Sequence, residues 1–184
     1  MQRVNLRMPG EHQVMNAHAA AAIAHHLGLE PSKIADGLSK LTAYRGRMKR
    51  YFDPDTKALL IDDSYNASPE SMKAAIASLS AVKKKDKCLI VADMGELGAQ
   101  SDYWHVQIGK WAEYYGVDYL FVMGDKSKLA LKQFTGSGCI FQSKSALLAH
   151  LKGIMHKDMV VLIKGSRVCQ LDECVRDLVG TDYE

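Results

Sequence analysis

Three short polar segments of the sequence hold the residue types that can do chemistry. They are DDSYNASPES at residues 62–71, DMGELG at residues 93–98 and KGSR at residues 164–167. Each one directly follows an apolar run of strand-like character. Because ligands of open parallel sheets bind beyond the carboxyl ends of the strands, we take these segments as the candidate binding loops.

The first segment offers two carboxylates and three neutral polar side chains. Asp62 and Asp63 can accept hydrogen bonds from the ribose hydroxyls of a nucleotide or help to hold a hydrated Mg²⁺. Ser64, Tyr65 and Asn66 add further donors and acceptors. Asp, Asn and Ser are also the standard residues of turns and helix N-caps. On composition alone, an ordinary capped turn is favoured over a ligand site.

The other two segments hold cations and candidate acid–base groups. Lys164, Ser166 and Arg167 lie between an apolar run and a helical pattern. Cations beside a helix N-terminus favour an anion, such as the carboxylate of a small substrate, although a surface ion pair explains them equally well. Glu96 and His105 belong to or follow the second segment, and a lone histidine in an apolar helical pattern is more often structural.

The composition is that of an ordinary globular protein, with 184 residues of which 47% are hydrophobic and 24% charged. No apolar run approaches the roughly 20 residues of a membrane span, and the N-terminus lacks the apolar core of a signal peptide. We therefore expect a cytoplasmic protein with no membrane partner. The 24 basic and 21 acidic residues are mostly intermixed, which disfavours a nucleic-acid-binding surface.

Two kinds of site are disfavoured by missing signatures. The four cysteines form no CxxC pair, so neither a zinc site nor a disulfide framework is expected. The sequence also lacks the glycine-rich signatures that hold phosphates in dinucleotide-binding enzymes and in P-loop kinases. A dehydrogenase or a self-sufficient kinase is therefore disfavoured.

The N-terminal quarter of the chain is predicted to be helical. The alanine-rich segment 14–27 has a high helix propensity and ends before Gly28, which suits a C-terminal cap. Pro31 opens a second apolar pattern with helical spacing. The polar segment 42–57 that follows is expected to be an interdomain linker or a hairpin connection.

The rest of the chain alternates strand-like and helical patterns, which predicts an α/β fold. The apolar runs are residues 58–61, 88–92, 119–123, a short run around Cys139, and residues 159–163. One of the helical patterns runs from Pro69 to Val82, with Ser68 as its candidate N-cap. Continuously apolar strands are typical of a mostly parallel sheet with helices on both faces.

Five segments, taken in order, resemble the C-terminal part of the Mur ligases, a family of ATP-dependent amide ligases. They are MPGEHQVMNAHAAAA at residues 8–22, YRGRM at 44–48, IDDSYNASPESMKAA at 61–75, VADMGELG at 91–98 followed by His105, and IKGSR at 163–167. Each segment alone is a weak signal, whereas five in the right order are specific. The pairing of DDSYNA with DMGELG is similar to the family member that adds D-Ala-D-Ala.

The resemblance implies a domain organisation. Residues 1–45 would be the C-terminal helical tail of a central ATPase domain, and residues 46–184 would form the Rossmann-like C-terminal domain. The UDP-substrate domain and the P-loop half of the ATPase domain would lie upstream, so that Met1 begins a truncated product. The fragment alone is then expected to be inactive and to hold no cofactor tightly.

The resemblance also implies roles for single residues. In ATP binding, the implied contacts are Asn16 with adenine, Arg47 with the phosphates and Asp63 with the ribose. The implied substrate-binding residues are Tyr65 and Asn66 in the cleft and Lys164, Ser166 and Arg167 in the D-Ala-D-Ala pocket. No metal ligand is expected in this chain, because the implied Mg²⁺ ligands lie upstream.

The implied reaction is the ATP-dependent addition of D-Ala-D-Ala to UDP-N-acetylmuramoyl-tripeptide in peptidoglycan synthesis, through an acyl phosphate. ATP and Mg²⁺ are the implied cofactors of the complete enzyme. Two alternative interpretations stay open. One is another Mur or folylpolyglutamate synthase-like ligase with a different incoming amino acid. The other is a stand-alone α/β ligand-binding module that uses the KGSR segment to bind an anion.

Overall fold

The computed structural model describes residues 3–7 and 11–183, and the chain divides into two compact units, Met1–Tyr44 and Arg45–Glu184. The first unit contains helices α1 (Glu11–His26) and α2 (Pro31–Lys40). Helix α1 covers most of the predicted helix 14–27, and Pro31 begins α2 as predicted. Met1 and the first three residues of the segment 8–22 lie outside the described residues.

The first unit has little interior of its own. Among its described residues, only Ala35 and Leu38 are buried. A mostly apolar groove of about 670 Å³ lies between its segments, and Val14, Ala21 and Ile34 contribute to its lining. Because so small a core stabilises two helices only weakly, this unit is poorly suited to stand alone.

The second unit is built on a six-stranded sheet with the strand order β1-β2-β6-β3-β4-β5. The strands are β1 (Lys49–Phe52), β2 (Leu59–Asp63), β3 (Asp86–Ala92), β4 (Tyr119–Met123), β5 (Ser137–Ile140) and β6 (Met159–Lys164). Strands β2 to β6 are parallel, and β1 runs antiparallel to β2 at the edge. The predicted α/β fold with a mostly parallel sheet is confirmed.

Four helices cover the two faces of this sheet. They are α3 (Pro69–Ser80), α4 (Ser101–Tyr114), α5 (Lys144–Ile154) and α6 (Asp172–Val179). Helices α3 and α4 pack against one face, and α5 and α6 pack against the other. Every residue of β6 is buried, because this central strand is covered on both sides.

Helix α3 begins with Ser68 as its N-cap, as the sequence predicts, and Ser71 makes the cap reciprocal. The hydroxyl of Ser68 accepts the N–H of Ser71 at 3.3 Å, and the hydroxyl of Ser71 accepts the N–H of Ser68 at 2.9 Å. Pro69 occupies the first helical position, where no N–H is needed. The helix ends at Ser80, two residues before the predicted end.

Within the polar segment 42–57, the structure contains a strand that the sequence did not predict. Residues 49–52 form β1, so the hairpin alternative describes this segment better than a plain linker. Tyr51 is the only residue of β1 that is buried. Because an edge strand buries alternate residues at most, its charged positions conceal the strand pattern.

The described residues contain neither a membrane-spanning helix nor a cluster of metal-binding side chains. No described helix is long and apolar enough to cross a membrane. Within the same residues, no group of three or more His, Cys, Asp or Glu side chains is placed to hold a metal ion. Cys88 and Cys174 are buried free thiols, and the thiols of Cys139 and Cys169 are free and half-buried.

Gly109 of α4 provides a test of the packing of the second unit. A Cβ at this position would lie 1.8 Å from the carbonyl oxygen of Ala130. We expect Gly109→Ala to lower the free energy of unfolding by about 2–3 kcal/mol, because the helix has to move away. Gly153→Ala on α5 is the matched control, since nothing lies within 4 Å of the added carbon.

Urea unfolding of the two variants measures this difference. The control is expected to leave the protein unchanged or to stabilise it by up to about 1 kcal/mol, since alanine is the better helix former. Equal unfolding midpoints for the two variants would contradict the close approach of α4 to residue 130.

Candidate functional site

The three polar segments meet at the carboxyl edge of the sheet. They follow β2, β3 and β6, and β6 lies between the other two strands. Asp63 at the end of β2 is the register partner of Lys164 at the end of β6, and Lys164 is in turn paired with Val91 of β3. The strand order therefore brings together residues that lie 101 positions apart in the sequence.

A buried ion pair lies at the centre of this edge. The ammonium of Lys164 donates to Oδ2 of Asp63 at 2.7 Å and to the carbonyl oxygen of Asn66 at 2.8 Å. The side chains of Lys164 and Asp63 are only 2% and 11% exposed. Oδ1 of Asp63 accepts the N–H of Met48 at 3.2 Å. The pair thus ties β2 and β6 to the segment that precedes β1.

Two opposing effects act on the carboxyl group of Asp63. Burial raises its pKa, and the charge of Lys164 together with the hydrogen bonds from Lys164 and Met48 lowers it. Burial is the stronger effect, so the pKa of Asp63 lies above its ordinary value. The cation of Lys164 is therefore needed to keep this buried carboxylate charged.

The neighbouring carboxylate of Asp62 is fully buried and accepts four hydrogen bonds. Its Oδ1 accepts the N–H of Ser64 at 3.1 Å and the hydroxyl of Ser64 at 2.5 Å. Its Oδ2 accepts the N–H of Gly46 at 2.8 Å and the phenol of Tyr183 at 3.2 Å. These donors replace the water that the carboxylate loses on burial. Asp62 and Asp63 thus anchor Gly46 and Met48, because they accept the backbone N–H groups of these two residues.

Arg47 lies between these two anchored residues. Both neighbours have a left-handed backbone, with φ of 72° at Gly46 and 58° at Met48. A Cβ at position 46 would lie 2.9 Å from Cβ of Tyr65, so only glycine fits there. The guanidinium of Arg47 is exposed and lies 4.3 Å from the centre of the Tyr65 ring. The loop thus presents one cation, stacked on an aromatic ring, at the protein surface.

The loop after β3 is held by hydrogen bonds at Asp93 and at His105. The carboxylate of Asp93 accepts the backbone N–H groups of residues 125–127 at 2.7–3.1 Å. His105 is fully buried, and its Nε2 accepts the N–H of Met94 at 2.9 Å while its Nδ1 contacts the carbonyl oxygen of Ser101 at 2.7 Å. His105 therefore has a structural role here, whereas Glu96 is exposed.

The two cations of the KGSR segment lie in different environments. Lys164 is buried against Asp63, whereas the side chain of Arg167 is 62% exposed and pairs with Asp172 at 3.1 Å. The N–H of Ser166 donates to the carbonyl oxygen of Asp93 at 3.2 Å, which joins the loops after β6 and β3. The structure therefore does not bring Lys164 and Arg167 together as one exposed cationic pair.

The remaining predicted residues are exposed. Tyr65 and Asn66 lie at the surface of the loop after β2. Asn16 is an exposed residue of α1 in the first unit, and its amide donates to the side chain of Gln13 at 3.3 Å. The binding roles that the resemblance implies for these residues stay predictions.

Sequence reasoning missed the anchoring functions of Asp62 and Tyr183. The adjacent aspartates at the end of an apolar strand were a usable signal for Asp62, because a buried carboxylate requires donors. No local signal existed for Tyr183, since its partner lies 121 residues away in the sequence.

Residues 46–167 match the family described as "Mur ligase, glutamate ligase domain". The chain belongs to the Mur ligase family. As a Mur ligase, it spans only about two fifths of the length of the relatives that it matches.

Curated and solved relatives agree with this assignment. The UDP-N-acetylmuramoyl-tripeptide--D-alanyl-D-alanine ligase of Escherichia coli (strain K12) is 39% identical over 177 residues, which cover 95% of this chain and 38% of that protein. A crystal structure of MurF from Acinetobacter baumannii is 31% identical, with a TM-score of 0.85 over 96% of this chain and 39% of that one. MurF from Thermotoga maritima in complex with ADP shares the fold, with a TM-score of 0.78 and 23% identity.

Lys164→Met tests the buried ion pair of this Mur ligase chain. The variant keeps the aliphatic length but leaves the carboxylate of Asp63 without its cation. We expect the free energy of unfolding to fall by about 3 kcal/mol at about pH 7, because an unpaired charge stays buried. Lys144→Met is the control. It removes the more exposed pair with Glu173, at an expected cost below about 1 kcal/mol.

The loss in Lys164→Met is expected to depend on pH. The pKa of Asp63 is raised in the folded protein and rises further when Lys164 is removed. The stability contributed by such a group is present below its unfolded-state pKa and is lost as the pH rises through its folded-state pKa. Urea unfolding at about pH 5 and about pH 7 should therefore show a smaller loss at the lower pH. If Lys164→Met loses the same stability at both pH values, the proposal that Asp63 is charged at the higher pH is contradicted.

Proposed function

We propose that this chain forms the acceptor-binding side and completes the nucleotide site of an ATP-dependent ligase that adds D-alanyl-D-alanine to UDP-N-acetylmuramoyl-tripeptide. The observation that carries the proposal is the 39% identity, over 95% of the chain, to the Escherichia coli enzyme of that name. The meeting of the three polar loops at one edge of the sheet supports it, because ligands of such sheets bind at that edge.

The proposal includes the domain assignment. Residues 1–45 are the helical tail of a central ATPase domain, and residues 46–184 are the Rossmann-like C-terminal domain. The small interior of the first unit supports this, because α1 leaves Met15 and Ile23 more than 60% exposed. An apolar helix surface of this kind is typical of a helix that packs against further parts of its own domain.

On the nucleotide side, Arg47 is the proposed partner of the ATP phosphates. Arg47 is exposed and its guanidinium lies over the Tyr65 ring, so its charge and its planar donors suit a phosphate group. Asp63 is the proposed contact of the ribose. Its oxygens already accept bonds from Lys164 and Met48, but a carboxylate oxygen can accept a second hydrogen bond. Asn16 is the proposed contact of adenine.

We propose, as the resemblance to the Mur ligases implies, that Mg²⁺ is held by the part of the enzyme outside this chain. Asp62 and Asp63 are buried and accept hydrogen bonds from protein donors. The described residues contain no group of three or more His, Cys, Asp or Glu side chains that could hold a metal ion. Mg²⁺ usually binds through one or two carboxylates and the substrate phosphates. This chain then faces the phosphates with the cation of Arg47 instead.

On the acceptor side, Arg167 and Ser166 are the proposed contacts of the D-Ala-D-Ala carboxylate. Arg167 is the exposed cation of the KGSR segment, whereas its partner Asp172 is only 15% exposed. Arg176 lies 3.7 Å from the same carboxylate oxygen, so a cation stays beside Asp172 when Arg167 turns to a ligand. Lys164 belongs to the same pocket, and its ammonium donates to the carbonyl oxygen of Asn66. Asn66 and Tyr65 line the cleft. Lys164 thus shapes the wall of the pocket from inside.

Each proposed contact has its own role in the reaction. ATP supplies the phosphoryl group that converts the tripeptide carboxylate into a reactive acyl phosphate. Arg47 offsets charge on phosphate oxygens, and Arg167 and Ser166 hold the acceptor so that its amine faces the activated carbonyl. We propose that the chain alone does not complete ligation, because it lacks a glycine-rich P-loop sequence.

Calorimetric titration of the chain with D-Ala-D-Ala tests the acceptor site. We expect weak binding that Arg167→Ala lowers by about ten-fold or more, because the charged bond to the carboxylate is lost. Arg176→Ala is the matched control, since Arg176 also lies near Asp172, at 3.7 Å, but on α6 outside the KGSR segment.

Three outcomes would contradict the acceptor assignment. They are no binding by the wild-type chain, an equal loss in the two arginine variants, and equal binding of D-Glu, L-Glu or meso-diaminopimelate. The last result would favour another member of the amide ligase superfamily.

A turnover assay tests the proposed incompleteness of the chain. The chain is incubated with ATP, Mg²⁺, D-Ala-D-Ala and UDP-N-acetylmuramoyl-tripeptide, and ADP is measured. We expect no release of ADP above the background of heat-inactivated protein, because no phosphate-binding loop is present in the sequence. ADP formation that depends on all substrates would contradict this part of the proposal.

A further inference from the structure

The last described residue, Tyr183, reaches back to the first residues of the second unit. Its phenol donates to Oδ2 of Asp62 at 3.2 Å. The guanidinium carbon of Arg45 lies 5.6 Å from the centre of its ring, and the ring of Tyr51 lies at the same distance. The C-terminal end of the chain is thus packed against the start of the second unit.

The same carboxylate oxygen also accepts the N–H of Gly46 at 2.8 Å. Tyr183 and Gly46 therefore share one acceptor, and the position of that oxygen affects both. Burial, and then the negative charge of Asp62, raise the pKa of Tyr183, so its phenol stays protonated and remains a donor. Hydrogen bonds to a charged acceptor are stronger than those between neutral groups.

We propose that Tyr183 is a positioning residue for Arg47 and acts through Asp62 and Gly46. The inference rests on the proposed function only in giving Arg47 the role of phosphate ligand. Tyr183 holds the Asp62 carboxylate, and Asp62 holds the N–H of Gly46. The carbonyl of Gly46 accepts the N–H of Tyr65 at 3.1 Å, and the Tyr65 ring supports the guanidinium of Arg47.

The hydroxyl of Tyr183 can be removed without removing the packing of its ring. Arg45, Arg176 and Tyr51 lie against the aromatic ring, and the hydroxyl donates to Asp62. Tyr183→Phe keeps these contacts and removes one of the four donors to Asp62. Oδ2 then keeps the N–H of Gly46 but loses the phenol that helps to fix its position, so its bond to Gly46 opens more often.

The test is amide hydrogen exchange, followed by NMR, in the full 184-residue chain. In Tyr183→Phe we expect the Gly46 amide to exchange about five-fold faster, since a hydrogen bond that limits its local opening is lost. The amides of Met48, which Asp63 holds, and of Val161 in β6 should keep their wild-type rates. Tyr114→Phe, which removes a hydroxyl from a side chain that is 81% exposed, is the matched control.

A double mutant tests the route through Asp62. In an Asp62→Asn background, Tyr183→Phe should cause no further change at Gly46, because residues that act through one another are not additive. A full additional acceleration would overturn the route. If Asp62→Asn does not fold, the chemical shift of the Arg47 Nε–H group in Tyr183→Phe replaces it, and an unchanged shift would overturn the proposal.

Two results in the single variant would also overturn it. One is a Gly46 exchange rate equal to that of Tyr114→Phe. The other is an equal acceleration at residues 46, 48 and 161, which indicates a general loss of stability. Because no nucleotide is present, the outcome is independent of the proposed function. If Gly46 responds but Arg47→Ala leaves ATP affinity unchanged, the positioning stands and the phosphate role of Arg47 fails.

Discussion

Two adjacent buried carboxylates at the end of β2 set the structure of the candidate site. Asp62 and Asp63 point to opposite faces of the strand, so each needs its own set of donors. Lys164 supplies a charge on one side, and backbone N–H groups of residues 46 and 48 supply donors on both. Without these donors the buried carboxylates would have nothing to replace the water that they lose on folding. The conformation of the Gly46–Met48 loop is therefore a consequence of burying the two aspartates.

The donors that the buried aspartates require also determine how Arg47 is held at the surface. The left-handed backbone at Met48 is unfavourable for a residue with a side chain, and the bond from its N–H to Asp63 offsets that cost. Arg47 lies between Gly46 and Met48, whose backbone N–H groups are held by Asp62 and Asp63. Little conformational entropy is therefore lost when Arg47 binds an anion. The largely buried pair thus fixes the loop that presents the exposed cation of Arg47.

The parts of the fold that depend on local sequence were predictable. The five parallel strands and the cap at Ser68 follow from apolar runs and from the chemistry of a helix start. The ion pair between Asp63 and Lys164 was not predictable, because it depends on β6 lying next to β2 in the sheet. The sequence identified both residues as chemically important but assigned them to separate ligands. Strand β1 was missed because only Tyr51 marks its buried side.

The position of Lys164 limits what its substitution can prove about ligand binding. Its ammonium neutralises Asp63 in the interior, so a variant that loses it disturbs β2, β6 and the loop at Met48 together. Loss of substrate binding in such a variant is equally well explained by a damaged scaffold. Arg167 is three residues further along and exposed, and its partner Asp172 lies at the start of α6. Within the KGSR segment, Arg167 is therefore the cation at which contact with a ligand can be separated from folding.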